Sequence, residues 1–72
     1  MMALSEKEAA ILVAIERSHE ERGIPPTLKE IAAEVGIKSM GMLHDSLVRL
    51  EKMGYVRRTP NIARSLVLLE KA

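Results

Sequence analysis

Ser39, Gly41, Met42, His44 and Asp45 share the stretch SMGMLHD, with Lys38 before it and Arg49 after it. These residues offer a hydroxyl, an imidazole, a carboxylate and a thioether, next to a glycine that occupies almost no space. No nucleophile–base spacing and no phosphate-cradling glycine loop accompanies them. The second histidine, His19, falls on a different predicted helix, the chain has no cysteine, and no paired carboxylates converge on either imidazole. A metal site and a catalytic centre are therefore both poorly supported, and no cofactor is implied. What remains is recognition: donors, acceptors and apolar contacts presented to a partner.

The surroundings of the stretch place it on a helix. Ser39 is a helix-capping residue, and a helix running to about Met53 is expected, with Gly54 as its stop. On a 100° wheel, Met40, Leu43, Leu47 and Leu50 fall in one arc, which is expected to face the core. Gly41, Asp45, Val48 and Lys52 lie opposite, flanked by Met42 and Arg49 on one edge and His44 on the other. An ordinary solvated face is rich in Glu, Lys, Gln and Arg. This one is small, apolar and weakly charged near the helix start. Such a face suits the major groove of a duplex, where the positive helix end approaches phosphates and small residues let the backbone come near base edges. Ser39 is placed to donate to a phosphate or a base, Met42 and Val48 to meet a thymine methyl, and Asp45 to accept from a cytosine amino group. His44 suits either role. The competing interpretation packs Met42 and Val48 partly buried against the hairpin, or uses them to dock a protein.

Two more helices precede this one. Ser5-Glu6-Lys7-Glu8 is a capping box opening a helix from about Glu6 to Arg22, which stops at Gly23. Its inward stripe is expected to be Ile11, Leu12, Ile15 and His19, the last at the core edge. Ile24-Pro25-Pro26 forces an extended connection, because Pro26 excludes the α region for Pro25. A second capping box, Thr27-Leu28-Lys29-Glu30, starts a short helix over Leu28 to Val35, ended by Gly36. After Gly54, YVRRT and RSLVLLE are strand-like, with a turn near Pro60–Ala63. The expected fold is α+β: three helices in a winged helix-turn-helix with a C-terminal two-stranded β-hairpin as the wing.

Composition sharpens the choice of partner. Residues 1–35 carry four Lys/Arg against seven acids, a balance of −3, whereas residues 36–72 carry seven against three, a balance of +4. A basic half points to a polyanion. Tyr55 is the only aromatic residue, and single-strand binders stack bases on several. Duplex DNA is the better match. Lys38, together with Thr27 or Lys29 at the start of the second helix, is expected to flank a phosphate. Of Arg57 and Arg58, which leave their strand on opposite faces, one at most shares the surface of the third helix. Arg64, near the hairpin tip, is placed to reach the backbone or the minor groove. The longest apolar run, Ala9–Ile15, is seven residues, far short of a membrane span, and no basic segment precedes an apolar one as in a secretory signal. A single cytoplasmic domain over residues 1–72 is expected, with no membrane partner and no small-molecule ligand.

The chain resembles the N-terminal DNA-binding domain of LexA-type repressors over nearly its whole length. The resemblance is carried by Leu4-Ser5, by GIPPT (Gly23–Thr27), by EIAAEVGIKS (Glu30–Ser39), and by Leu47, Leu50 and Gly54. It ends with ARSLVLLE (Ala63–Glu70). It implies a winged helix domain on palindromic operators, acting as a homodimer on DNA in transcriptional repression. Under it, Ser39 matches the recognition-helix serine and Arg64 the wing arginine. Gly41 stands where the well-studied repressors carry a base-reading asparagine, and His44 and Asp45 where they carry acidic residues. The peptidase and dimerisation domain of such repressors, with its Ala-Gly cleavage step, has no counterpart in these 72 residues.

Overall fold

The computed structural model describes residues 4–59, 62 and 64–69. Along the chain come α1 (Glu6–Arg22), α2 (Leu28–Val35), α3 (Met40–Lys52), β1 (Val56–Arg57) and β2 (Val67–Leu68). The strands pair antiparallel, Val56 opposite Leu68 and Arg57 opposite Val67. Each strand is two residues long, shorter than the alternating runs suggested. Pro60, Asn61, Ala63 and Glu70, expected in the hairpin tip and at the end of the second strand, lie outside the described residues.

Local chemistry sets the helix ends. Ser5 Oγ accepts from the Glu8 amide at 3.1 Å while the Glu8 carboxylate accepts from the Ser5 amide at 3.0 Å, so two orphan donors are satisfied at once. Thr27 and Glu30 repeat the arrangement at α2, at 3.1 and 2.9 Å. Gly36 closes α2 at φ +86°, a conformation in which a side chain is strained. The amides of Gly36 and Ile37 both turn back onto the Ala32 carbonyl, which sets the tight corner into α3.

Ile11 and Ile15 of α1, Ile31 of α2, Ile37, and Leu43, Leu47 and Leu50 of α3 close over one another, with Val56 and Leu66 of the wing completing the core. Leu12 packs against this cluster without being fully enclosed. His19 is half-buried, as a core-edge residue should be, and its Nε2 is buried with no hydrogen-bond partner among the described residues.

One inward assignment is overturned. Met40, placed by the wheel with the core residues, is 44% exposed. It is the first residue of α3, and side chains on a helix lean toward the N-terminus, so Met40 overhangs the start of the helix rather than the core. Ile37, two residues before the cap, fills the space beneath at 5% exposure. Val48, placed outward, is half-buried.

Candidate nucleic-acid interface

The candidate surface is the opening of α3. Ser39 Oγ accepts from the Met42 amide at 3.2 Å and caps the helix as expected. The third helical position is Met42 rather than an acid, so no capping box forms and the first turn contains no carboxylate. Ser39, Met40, Gly41, Met42, His44 and Asp45 are all exposed, while Leu43 is fully buried. The helix thus presents an exposed strip in which the two methionines alternate with small or short polar side chains. Lys38 stands exposed immediately ahead of it.

Gly41 is not required by the fold. A Cβ added there would meet only Ser39 Oγ at 3.7 Å, an ordinary contact, and the backbone is not in the left-handed region. Intrinsic helix preference argues against glycine here by roughly 1 kcal/mol relative to alanine. The packing around α3 therefore gives no reason for a glycine at this position.

The other expected contact residues sit differently. Arg49 Nε lies 2.9 Å from Glu8 Oε2, and that carboxylate is almost fully enclosed, 5% exposed. A buried carboxylate is costly without a partner, so Arg49 is directed to α1 and ties it to α3. The Ser5 amide and the Arg49 guanidinium hold the Glu8 carboxyl below its usual range, against the opposing effect of burial. Thr27 is occupied as well: its hydroxyl caps α2 and its amide donates to Glu30.

Arg64 is the most heavily engaged. Its guanidinium donates to both Glu30 oxygens, at 3.1 and 3.0 Å, and to the Pro25 carbonyl at 3.1 Å. Its backbone adopts φ +57°, the only non-glycine residue among those described with positive φ. Arg22 reaches the same carboxylate from α1, at 3.1 and 3.3 Å, and also donates to Ser18 Oγ. Arg64, the Thr27 amide and Arg22, in that order of effect, bring the Glu30 carboxyl down to about 2. One carboxylate therefore joins the end of α1, the start of α2 and the wing. In the sequence Glu30 and Glu8 read only as capping residues; their arginine partners are too distant along the chain for any local pattern to show.

Three helices with a glycine corner between the second and third, followed by an antiparallel hairpin, define a winged helix-turn-helix, an architecture of DNA-binding domains. Comparison with known proteins narrows this. The family described as LexA DNA binding domain matches residues 1–65, and the chain belongs to that family. It is 47% identical over 66 residues to the LexA repressor of Leifsonia xyli subsp. xyli, covering 92% of this chain and 30% of that protein. The LexA repressor of Pelotomaculum thermopropionicum is 40% identical over 67 residues, 93% of this chain and 33% of that one. That of Caldicellulosiruptor saccharolyticus is 39% identical over the same length, with the same coverage. The chain spans about a third of the length of these relatives. Among the described residues, no helix is long and apolar enough to cross a membrane.

Proposed function

We propose that the chain is the sequence-reading part of a transcriptional repressor, with α3 seated in the major groove of a palindromic operator and two copies occupying its half-sites. The observation that carries this is the α3 start: an exposed strip from Ser39 to Asp45, no acid in the first turn, and Lys38 ahead of it. Ser39 and Lys38 meet phosphates at the positive helix end, while Met42, His44 and Asp45 face base edges. Gly41 lets the backbone come close. Arg49 and Thr27 serve the interface through the fold, by holding α3 on α1 and opening α2.

One domain on one half-site binds weakly; two half-sites give useful affinity. Selection of bound sequences from a random duplex pool tests the proposal. Enrichment of one motif, repeated with dyad symmetry, is expected, and a pool that stays random after several rounds would count against it. The exposed Met40 and Met42 support a second use of the same face, docking an apolar protein surface. In that case affinity for duplex would be nearly independent of salt, whereas phosphate neutralisation makes it fall steeply.

A further inference from the structure

We propose that the wing meets the DNA backbone through Arg58, and that Arg64 is a positioning residue that holds the wing against α2 so that Arg58 is presented. This rests on the duplex-binding function proposed above and names a phosphate contact within it.

Most guanidinium groups of the chain are bonded to carboxylates. Arg17 pairs with Glu34 and Glu21, Arg22 with Glu30, Arg49 with Glu8 and Arg64 with Glu30. Arg57 and Arg58 have no such partner among the described residues. They differ from each other in setting. Arg57 is exposed on β1. Arg58 is half-buried and lines a groove of about 270 Å³ between the wing and the start of α2, together with Thr27, Thr59, Ile62, Arg64 and Ser65.

Among the described residues, no carboxylate lines that groove. Glu30, at the adjoining helix start, already accepts from Arg22, Arg64 and the Thr27 amide. An arginine stays ionised at any physiological pH, and Arg58 lies partly buried in the groove with no carboxylate partner among the described residues. A phosphate oxygen supplies what it lacks, in the two-pronged geometry that guanidinium favours. Around Glu30 and the groove, Arg22, Arg58 and Arg64 set three positive charges against one negative, so an incoming phosphodiester is attracted rather than repelled.

The loop carrying Arg58 is braced. The Thr59 amide donates to Ser65 Oγ at 3.0 Å, and that hydroxyl reaches the Thr59 and Ile62 carbonyls at 3.0 and 2.9 Å, donating to one at a time. Arg64, next to Ser65, fastens this loop to α2 through Glu30 and Pro25. Its guanidinium donors are taken up by these bonds.

The two roles separate experimentally. Binding of the 72-residue chain and its variants to a short mixed-sequence duplex is followed by fluorescence anisotropy from low to moderate salt, at a temperature where circular dichroism shows every variant folded. Arg58→Gln should flatten the slope of log K against log salt by about 0.9, one phosphate contact, with the melting temperature unchanged. Arg57→Gln should leave the slope as it is. Arg64→Gln and Arg64→Lys should both lower the melting temperature and reduce affinity by the same factor at every salt concentration, with the wild-type slope kept. An unaltered slope in Arg58→Gln, or a flattening in Arg64→Gln that Arg64→Lys restores, overturns the assignment while leaving duplex binding intact. If the wild-type chain itself shows no salt-dependent binding, it is the DNA-binding proposal that fails.

Discussion

The two helices of the helix-turn-helix begin in nearly the same way and end up with opposite electrostatics. α2 starts at Thr27, whose cap is completed by Glu30, and two arginines from distant segments close on that carboxylate. α3 starts at Ser39, whose cap has no acidic counterpart, and a lysine precedes it. Both ends expose the positive pole of a helix. At α2 the pole is neutralised from within, which makes that end a joint of the fold. At α3 no acid of the first turn neutralises it, and that end is left to the solvent. The difference comes down to one side chain at the third helical position: Glu30 in α2, Met42 in α3.

That contrast can be broken directly. Met42→Glu would give α3 the capping box of α2. Affinity for duplex should drop at least about tenfold, roughly 1.4 kcal/mol, because the new carboxylate takes the place of the phosphate. Thermal melting should show a chain no less stable than the parent. Unchanged affinity would mean that the α3 start is not the DNA surface.

Acid tests the α2 joint. A carboxyl at about 2 in the fold, against an ordinary 4.5, adds stability that is complete above pH 4.5 and is lost as pH falls toward 2. Glu8 adds a smaller contribution of the same sign. Glu30→Gln should lower the melting temperature at neutral pH and flatten its fall between pH 4.5 and 2, leaving only the part due to Glu8. A melting curve as acid-sensitive as the parent's in that window would show that the joint does not depend on the Glu30 charge.

The caps themselves should rank. Thr27→Ala is expected to cost about 1–2 kcal/mol by denaturant unfolding, the upper part of the usual range, since Thr27 is half-buried and its loss loosens Glu30. Ser39→Ala, at an exposed start with no box, should cost about 0.5–1 kcal/mol and weaken duplex binding more than Thr27→Ala does. The reverse order in binding would assign the phosphate to α2. Smallest of all, Gly41→Ala should stabilise the chain by about 0.5–1 kcal/mol, since the added Cβ meets nothing closer than 3.7 Å. A loss of stability would show that the glycine serves the fold.

Much of this molecule is legible locally. The bounds of α1 and α2 follow from capping boxes and left-handed glycines, each signal lying within four residues of the end it marks. The α3 strip from Ser39 to Asp45 is legible for the same reason. Met40 misleads because a helical wheel treats every position as if a turn preceded it, and at the first residue none does. The arginine pairs lie beyond local reach. Arg49 and Arg64 look like surface cations in the sequence, and only the tertiary fold brings Glu8 and Glu30 to them; the Arg64–Glu30 bond spans 34 residues. Charge composition reveals a basic half of the chain but not which of its cations the fold leaves unpaired.

At residue 64 two demands conflict. A backbone at φ +57° favours glycine or asparagine, by about 1–2 kcal/mol over a long side chain, whereas the three bonds to Glu30 and Pro25 require a guanidinium. The strain is offset only while those bonds hold, so the wing loop has little reason to rest partly open. In native-state hydrogen exchange, the amides of Thr59 and Leu69 should exchange as one cooperative unit, at lower free energy than those of α1, with the Thr27 amide at its boundary. The wing then behaves as a latch that is either fastened or released, while the three-helix core beneath it stays closed.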